Sequence, residues 1–519
     1  MTTCYRLAKA CAMIGTTFGW CQSWAQVPSW RFDPLGQQGY QVGFGIEQHG
    51  SGFLIIGATS VEFGPDDYIN SIVCSIIIDE FGNVIGMDTV DIGPYATSPG
   101  TWNCLGRIRS DGYVSGGSVA SQTGSQQFAL WRISNNGLID LIALFGQEGE
   151  ERIGRQAIEG KDGGFLMVGQ TDNVGWIDGM LLKTDSSGAL QWEHNYGGPL
   201  RDYLWAVDTA SNDDVFVCGS LRVTEGDIDW WLMRTDPAGD TIWSRTWGSS
   251  NVHDLIPSIT TKSNGNPLFA SAWTDGQDAS WNSAVYMAEL HQDDGHIIWA
   301  RTYGPVLDFT ILRVAKEKAP SQGHIAAGMA FPDNSNFFQG LLLRTADNGD
   351  SLWMRRYFYY DSLMTDGMGE FNDVVPTLDG GFVACGFTVG AYTGPYPPSY
   401  SQDIWVVKVD SLGCIVPGCN IPMGITSQAT NMGYALVLYP NPVRDQLHVA
   451  IKLPVNFKAE GPLVLTVVSM AGELVRQVTV PTSAPSDVML DVMGLAAGAY
   501  TLHLSDGHTW IAGKKFVVE

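Results

Sequence analysis

Aspartates crowd at recurring points of the chain: Asp66 with Asp67, Asp172 with Asp178, Asp227 with Asp229, and Asp275 with Asp278. Clustered carboxylates suit a calcium ion, which gathers about six to eight oxygen ligands. No stretch has the ligand spacing of an EF-hand or of a nonapeptide calcium loop. The same aspartates also fit turns, where a carboxylate caps nearby backbone N–H groups. Calcium on Asp172, Asp178, Asp227 and Asp229 is therefore the one ion the sequence suggests, and no other cofactor is expected. His253, His291 and His296 stand near acids but lack HExxH spacing, and no GxSxG, Walker loop or strand–helix GxGxxG occurs. No nucleophile has an evident base, so no catalytic residue is assigned.

Two tyrosine-rich segments offer a different chemistry. They run from Tyr357 to Phe371 and from Gly390 to Asp403, and they carry Tyr359, Tyr360, Tyr392, Tyr396 and Tyr400. Tyrosines beside Gly and Asp can stack on sugar rings or hold a peptide, and long insertions on a rigid scaffold are common ligand sites. The alternative is a loop packed on itself.

The scaffold that must hold these residues is a repeat. One element recurs seven times, starting at Gly52, Gly112, Gly164, Asp214, Pro267, Gly323 and Gly381, as in "GFLIIGATS" and "GFLMVGQT". Its near-continuous apolar runs, with a Gly or Ala five places on, read as strands covered on both faces. A hairpin follows each copy, as in "MLLKTDSSGALQW", with turn glycines at Gly82, Gly137, Gly188, Gly239, Gly295, Gly349 and Gly413. Four copies place a tryptophan four residues later: Trp192, Trp243, Trp299 and Trp353. A further strand precedes each unit. Seven four-strand meanders predict a seven-bladed β-propeller, whose radial closure leaves few free edges. The seventh unit lacks a last strand, and "PSWRFDPLG" near the N-terminus is unpaired. That segment is expected to complete the last blade as a closure strap.

The repeats resemble bacterial secreted propellers of poorly defined function, through "DGGFxxxGxTxxxxxxDxxLxKxDxxGxxxWxxxYGG", best matched by Asp162 to Gly198. The "DxxGxxxW" pieces also look like the tryptophan-docking repeats of quinone-cofactor dehydrogenases. A tryptophan repeated at one position of every blade fits inter-sheet packing better than a cofactor site, which would occur once.

Net charge is -25, and the acids concentrate in the repeats, because residues from Leu436 onward carry six Lys/Arg against seven Asp/Glu. So acidic a surface excludes a nucleic-acid partner, whose phosphates need Lys and Arg. No run of apolar residues is long enough for a membrane span. Nine cysteines show no zinc or haem spacing. Those inside strand-like runs read as small buried residues. Cys414 and Cys419 could close a short loop, which the sequence leaves open.

The ends carry the address. Residues 1–25 hold Arg6 and Lys9, an apolar stretch and then Ser23-Trp24-Ala25, so they read as a signal peptide cleaved between Ala25 and Gln26. The C-terminal stretch alternates with period two through "LVLTVVSM", "LVRQVTV" and "YTLHLS", giving a small antiparallel sandwich of Ig-like type. It resembles the type A C-terminal sorting domain of the type IX secretion system. The resemblance rests on Tyr439, Pro440, Asn441 and Pro442 ("YPNP"), on Gly472, on Leu495, Gly498 and Tyr500 in "DVMGLAAGAYTLHL", and on Lys514, Lys515 and Phe516 in the closing strand. It implies passage through the periplasm and across a Gram-negative outer membrane by the type IX machinery, to the cell surface or beyond.

The sequence thus predicts an all-β chain: a signal peptide at 1–25, a propeller at 26–412, a linker at 413–435 and a sorting domain at 436–519. The expected role is a binding module for a glycan or protein. A secreted hydrolase or lyase with its site in the propeller channel, and a structural envelope component, are the alternatives.

Overall fold

The computed structural model describes residues 29–32, 40–60, 71–93, 95–121, 125–147, 149–172, 177–249, 256–274, 283–304, 309–316, 323–330, 338–357, 368–390, 401–415, 435–453, 459, 461–469, 474–480, 487–506 and 510–519. Described elements are strands throughout, apart from one short 3-10 turn at Ser211–Asp213. No helix among the described residues is long and apolar enough to cross a membrane.

Each repeat is an antiparallel meander of four strands. The innermost strands are Gln41–His49, Glu151–Glu159, Tyr203–Thr209, Ser258–Thr261, Phe309–Lys316 and Met368–Pro376. The second repeat departs from the expected single strand: its inner edge is split into Ala96–Pro99 and Leu105–Arg107, with an insertion between them. Every inner strand packs on the inner strand of the next repeat, and the first packs on the last, so the units close into a ring. Each core cluster is correspondingly shared between neighbours; Ile55 and Ile76 of the first unit pack with Cys385 and Val406 of the seventh.

The closure strap forms as expected. Ser29–Phe32 pairs antiparallel with Ser401–Val409, with Ser29 opposite Val407 and Phe32 opposite Ile404.

Adjacent inner strands are not laddered to each other, so N–H groups that face the neighbouring unit need other acceptors. Side chains supply them. Asp373 Oδ2 accepts from Ile46 N at 2.8 Å, Gln156 Oε1 from Val207 N at 2.8 Å, Asp208 Oδ2 from Thr261 N at 2.6 Å and Ser258 Oγ from Val314 N at 3.2 Å. The recurring tryptophans link the outer part of the ring. A Cβ on Gly239, Gly295, Gly349 or Gly413 would meet the ring edge of Trp192, Trp243, Trp299 or Trp353 of the preceding unit at 3.0, 2.7, 2.6 or 2.9 Å. Positive φ at these turns independently requires glycine. The seventh unit runs through Ile415, past the 412/413 boundary read from the sequence, because Gly413 receives Trp353 and Ile415 is buried in the core. Cys414 is disulfide-bonded, while Cys419 lies outside the described residues. The free cysteines Cys74, Cys104, Cys218 and Cys385 are fully buried.

Within a unit, a basic residue on the third strand reaches back to an acid in the preceding turn: Lys183 to Asp162 at 2.7 Å, Arg234 to Asp214 at 2.7 Å and Lys408 to Asp379 at 2.6 Å. The fifth unit inverts this polarity, pairing Glu289 with Lys262 at 2.5 Å, both nearly inaccessible to water. Burial alone would raise the Glu289 pKa, but hydrogen bonds from Asn266, Lys262, Asn264 and Trp299 hold it down at about 2. A depressed carboxyl pKa contributes stability above pH ~4.5 that is lost as pH falls toward 2. Removing the cation leaves a buried charge uncompensated, so Lys262→Met is expected to cost about 3–5 kcal/mol. The urea midpoint measures it, and an unchanged midpoint would refute the assignment. Lys262→Asp combined with Glu289→Lys, which restores the polarity of the sibling units, should recover part of the loss.

The C-terminal sandwich has two sheets. One contains Leu436–Tyr439, Gln446–Ile451 and Asp487–Asp491; the other contains Leu463–Ser469, Leu474–Val480, Gly498–Ser505 and Trp510–Val518. Its core includes Leu447, Val467, Leu502 and Phe516.

Candidate binding site in the propeller channel

The inner strands of neighbouring units pack on one another around the ring, and several of them carry a bulge. Phe44, Arg155, Trp205 and Asn372 each occupy the extra position where the register slips against the second strand. A bulge re-aims its side chain away from the alternating pattern of the strand. In the second unit the insertion between the two half-strands brings Thr101 and Trp102 to the same place.

Arg155 and Trp205 form the centre of a cluster. The guanidinium carbon of Arg155 lies 3.8 Å from the Trp205 ring centroid, a close cation–π contact. Trp102 and Tyr203 flank Trp205 at 5.7 and 6.0 Å between centroids. Arg155 donates to Gln170 Oε1 at 2.6 Å and to Thr101 Oγ1 at 3.2 Å. Its buried Nε donates to no atom among the described residues. Burial works against the Arg155 charge and lowers its pKa to about 9, which leaves it cationic at neutral pH. Trp205 is held by its own N–H, which donates to Ser220 Oγ at 3.1 Å.

Glu370 joins from the seventh unit, two residues before the bulged Asn372. Burial pushes its carboxyl up to about 7, opposed by a hydrogen bond from the side chain of Trp102. Two other inner-strand acids have structural tasks. Asp373 uses both oxygens on backbone amides, Ile46 N at 2.8 Å and Val374 N at 2.7 Å. Asp208 does the same with Thr261 N at 2.6 Å and Thr209 N at 2.7 Å.

Of the sites expected from the sequence, only some lie among the described residues. Tyr359, Tyr360, Tyr392, Tyr396 and Tyr400 lie outside the described residues, as do Ala25, Gln26 and Gly472. Asp172 and Asp178 sit on paired strands near the buried Asp202; burial, then Asp202, then Asp172 raise the Asp178 pKa. Asp202 itself accepts from Gly198 N and Arg222 N. Asp229 is raised by burial and by Asp227. Among the described residues, the set of three ligand atoms within 4.8 Å of one another is not drawn from these aspartates but from His291, Asp294 and His296.

In the sandwich the sorting motifs meet. Asn441 Oδ1 accepts from Val517 N at 2.9 Å and its amide donates to Lys515 O at 3.3 Å. "YPNP" therefore pins the closing strand. Tyr439 stacks on His448 with centroids 4.9 Å apart, and Tyr500 stacks on Phe516 at 5.7 Å while donating to Ala496 O. Leu495 packs against the core, and Lys514 donates to Leu436 O.

A closed ring of four-stranded sheets joined to a separately cored β-sandwich defines a propeller cargo with a terminal delivery domain. Residues 437–519 match the secretion system C-terminal sorting domain family, Por_Secre_tail. The protein is accordingly exported through the type IX secretion system to the cell surface or the extracellular space. Comparison with curated proteins finds no match. Among solved structures the chain is similar to Sqt1 from Chaetomium thermophilum, with 13% identity, 82% of this chain and 96% of that one covered, and TM-score 0.40. It is also similar to an alpha-L-arabinanase from Penicillium chrysogenum, with 11% identity, coverages of 56% and 88%, and TM-score 0.36. A third is an alpha-L-arabinofuranosidase from Fusarium graminearum, with 10% identity, coverages of 73% and 94%, and TM-score 0.37. Likeness at this level carries no argument about activity.

Proposed function

We propose that the exported propeller is a binding module and that the channel cluster takes a glycan. The observation that carries this is the convergence of Trp102, Arg155, Trp205 and Glu370 from four different repeats onto one place. Aromatic faces suit the apolar faces of sugar rings, and a guanidinium and a carboxyl in the same cluster suit their hydroxyls. Binding rather than hydrolysis is favoured by the state of the acids. Glycoside hydrolysis requires a pair of carboxyl groups, one acting as acid and one as nucleophile or base. Asp208 and Asp373 are committed to holding adjacent strands.

The test is a glycan and peptide array on the exported protein, followed by titration of any hit. Trp205→Ala should weaken glycan binding by about tenfold or more, as truncation of a buried aromatic anchor does. Glu370 is protonated below pH ~7 and charged above it. Binding that uses its O–H as a donor should therefore fall as pH rises through 7, and Glu370→Gln should remove that dependence. A glycan hit unaffected by Trp205→Ala would overturn the assignment of this site. Turnover of a polymer would support the hydrolase reading instead.

A further inference from the structure

The hairpin turns between the third and fourth strands repeat around the ring, so each is a control for the others. In four of them a single aspartate closes the turn. Asp79, Asp185, Asp236 and Asp410 each use Oδ1 to accept the N–H groups two and four residues on.

The fifth unit departs from this pattern. Its turn runs from His291 through Gln292, Asp293, Asp294 and Gly295 to His296, one residue longer, with an imidazole where those four turns place the capping carboxylate and the second and sixth units place Ser134 and Ala346. His296 Nδ1 lies 2.6 Å from Asp294 Oδ1, and His291 Nδ1 lies 3.8 Å from the same oxygen. Asp293 Oδ2 is 3.9 Å from His291 Nδ1. The two imidazoles face each other with centroids 4.9 Å apart and planes 14° from parallel. Closing a hairpin requires none of this, since four sibling turns close with one aspartate.

We propose that this turn is a divalent transition-metal site, with His291, Asp294 and His296 as ligands and Asp293 placed to supply a fourth. Metal–nitrogen and metal–oxygen bonds of about 2.0–2.2 Å set ligand atoms about 3–3.5 Å apart. The present distances of 2.6 and 3.8 Å bracket that range, and all three ligand atoms lie within 4.8 Å of one another. His291, Asp294 and His296 are all solvent-accessible, at 40, 58 and 56% of their side-chain area, so a hydrated ion can enter without opening the fold. Two imidazoles select zinc, copper(II) or nickel, whereas calcium prefers oxygen donors alone. The strongly acidic chain raises the local concentration of any cation.

The experiment titrates the exported full-length protein with zinc chloride in competition with a chromophoric chelator. The parent should bind one equivalent more than His291→Ala/His296→Ala, and each single variant should weaken that site by at least about tenfold. Replacing residues 291–295 with the Asp236–Gly239 turn keeps the hairpin and should abolish the same equivalent. With copper(II), the resonance spectrum of the parent should show coupling to two imidazole nitrogens, one of which is lost in each single variant. Calcium chloride should not displace zinc. Equal zinc stoichiometry and affinity in the parent and the turn-swapped protein, or a copper spectrum indifferent to the turn, overturns the proposal.

Discussion

A chain ending at residue 434 is expected to reach the periplasm and accumulate there, with the surface and extracellular fractions falling to background. The reason is structural separation as well as sequence match. The core of the sandwich is drawn entirely from residues 435–518, with no contribution from the propeller repeats. Truncation therefore removes the sorting signal without opening a propeller core, and the retained protein should unfold with an unchanged transition. A point variant makes the same case more finely. Leu502 is fully buried in that core, and Leu502→Asp places an unpaired charge there at a cost of several kcal/mol. Since native domains hold only about 5–15 kcal/mol in total, that change is enough to disorder a domain of this size. Cell fractionation with surface proteolysis reads the outcome. Continued export of the truncated chain would show that the propeller carries its own signal.

The repeat architecture was legible because it is periodic. Seven glycines at one turn position and four tryptophans at a fixed offset announce the hairpins, and the docking of Trp299 on Gly349 explains why both recur. The strap was legible as a remainder: a blade short of one strand and a strand short of a blade. The channel cluster was not, because Arg155 and Trp205 sit in segments that read as ordinary inner strands. What re-aims them is the bulge, a property of pairing register rather than of residue type. Trp102 lies in an insertion that matches no other repeat, and Glu370 looks like any solvent-facing acid until burial raises its pKa. The metal turn was half visible. In the sequence His291 and His296 stand near acids, but only the folded, lengthened turn brings their rings face to face. Departures from the repeat thus carry more functional information than the repeat itself. The polarity inversion at Lys262 and Glu289 and the lengthened turn at His291 both fall in the fifth unit.

Deleting Ser29–Phe32, with the preceding leader retained, is expected to destabilise the propeller more than any single substitution in a blade. The strap is the fourth strand of the seventh sheet, and without it Ser401–Val409 becomes an open edge. Phe32 is also 9% exposed in a cluster that spans the seam, touching the group formed by Ile46 and Phe53 of the first unit and Val383 and Ile404 of the seventh. Losing a buried phenylalanine costs about 3–5 kcal/mol, and each lost ladder hydrogen bond adds about 1 kcal/mol. The sum is comparable to the whole stability of a domain. Moreover, the first and last units are held together by the strap as well as by inner-strand packing, so its loss leaves that seam to packing alone. An unstrapped array can fray from either end, as linear repeat proteins do. The expected signature is therefore a lower and broader urea transition, rather than a shifted sharp one, together with self-association through the exposed edge. A strapless protein that stays monomeric and unfolds at the parent midpoint would show that the inner-strand side-chain bonds, such as Asp373 to Ile46, suffice to hold the ring shut.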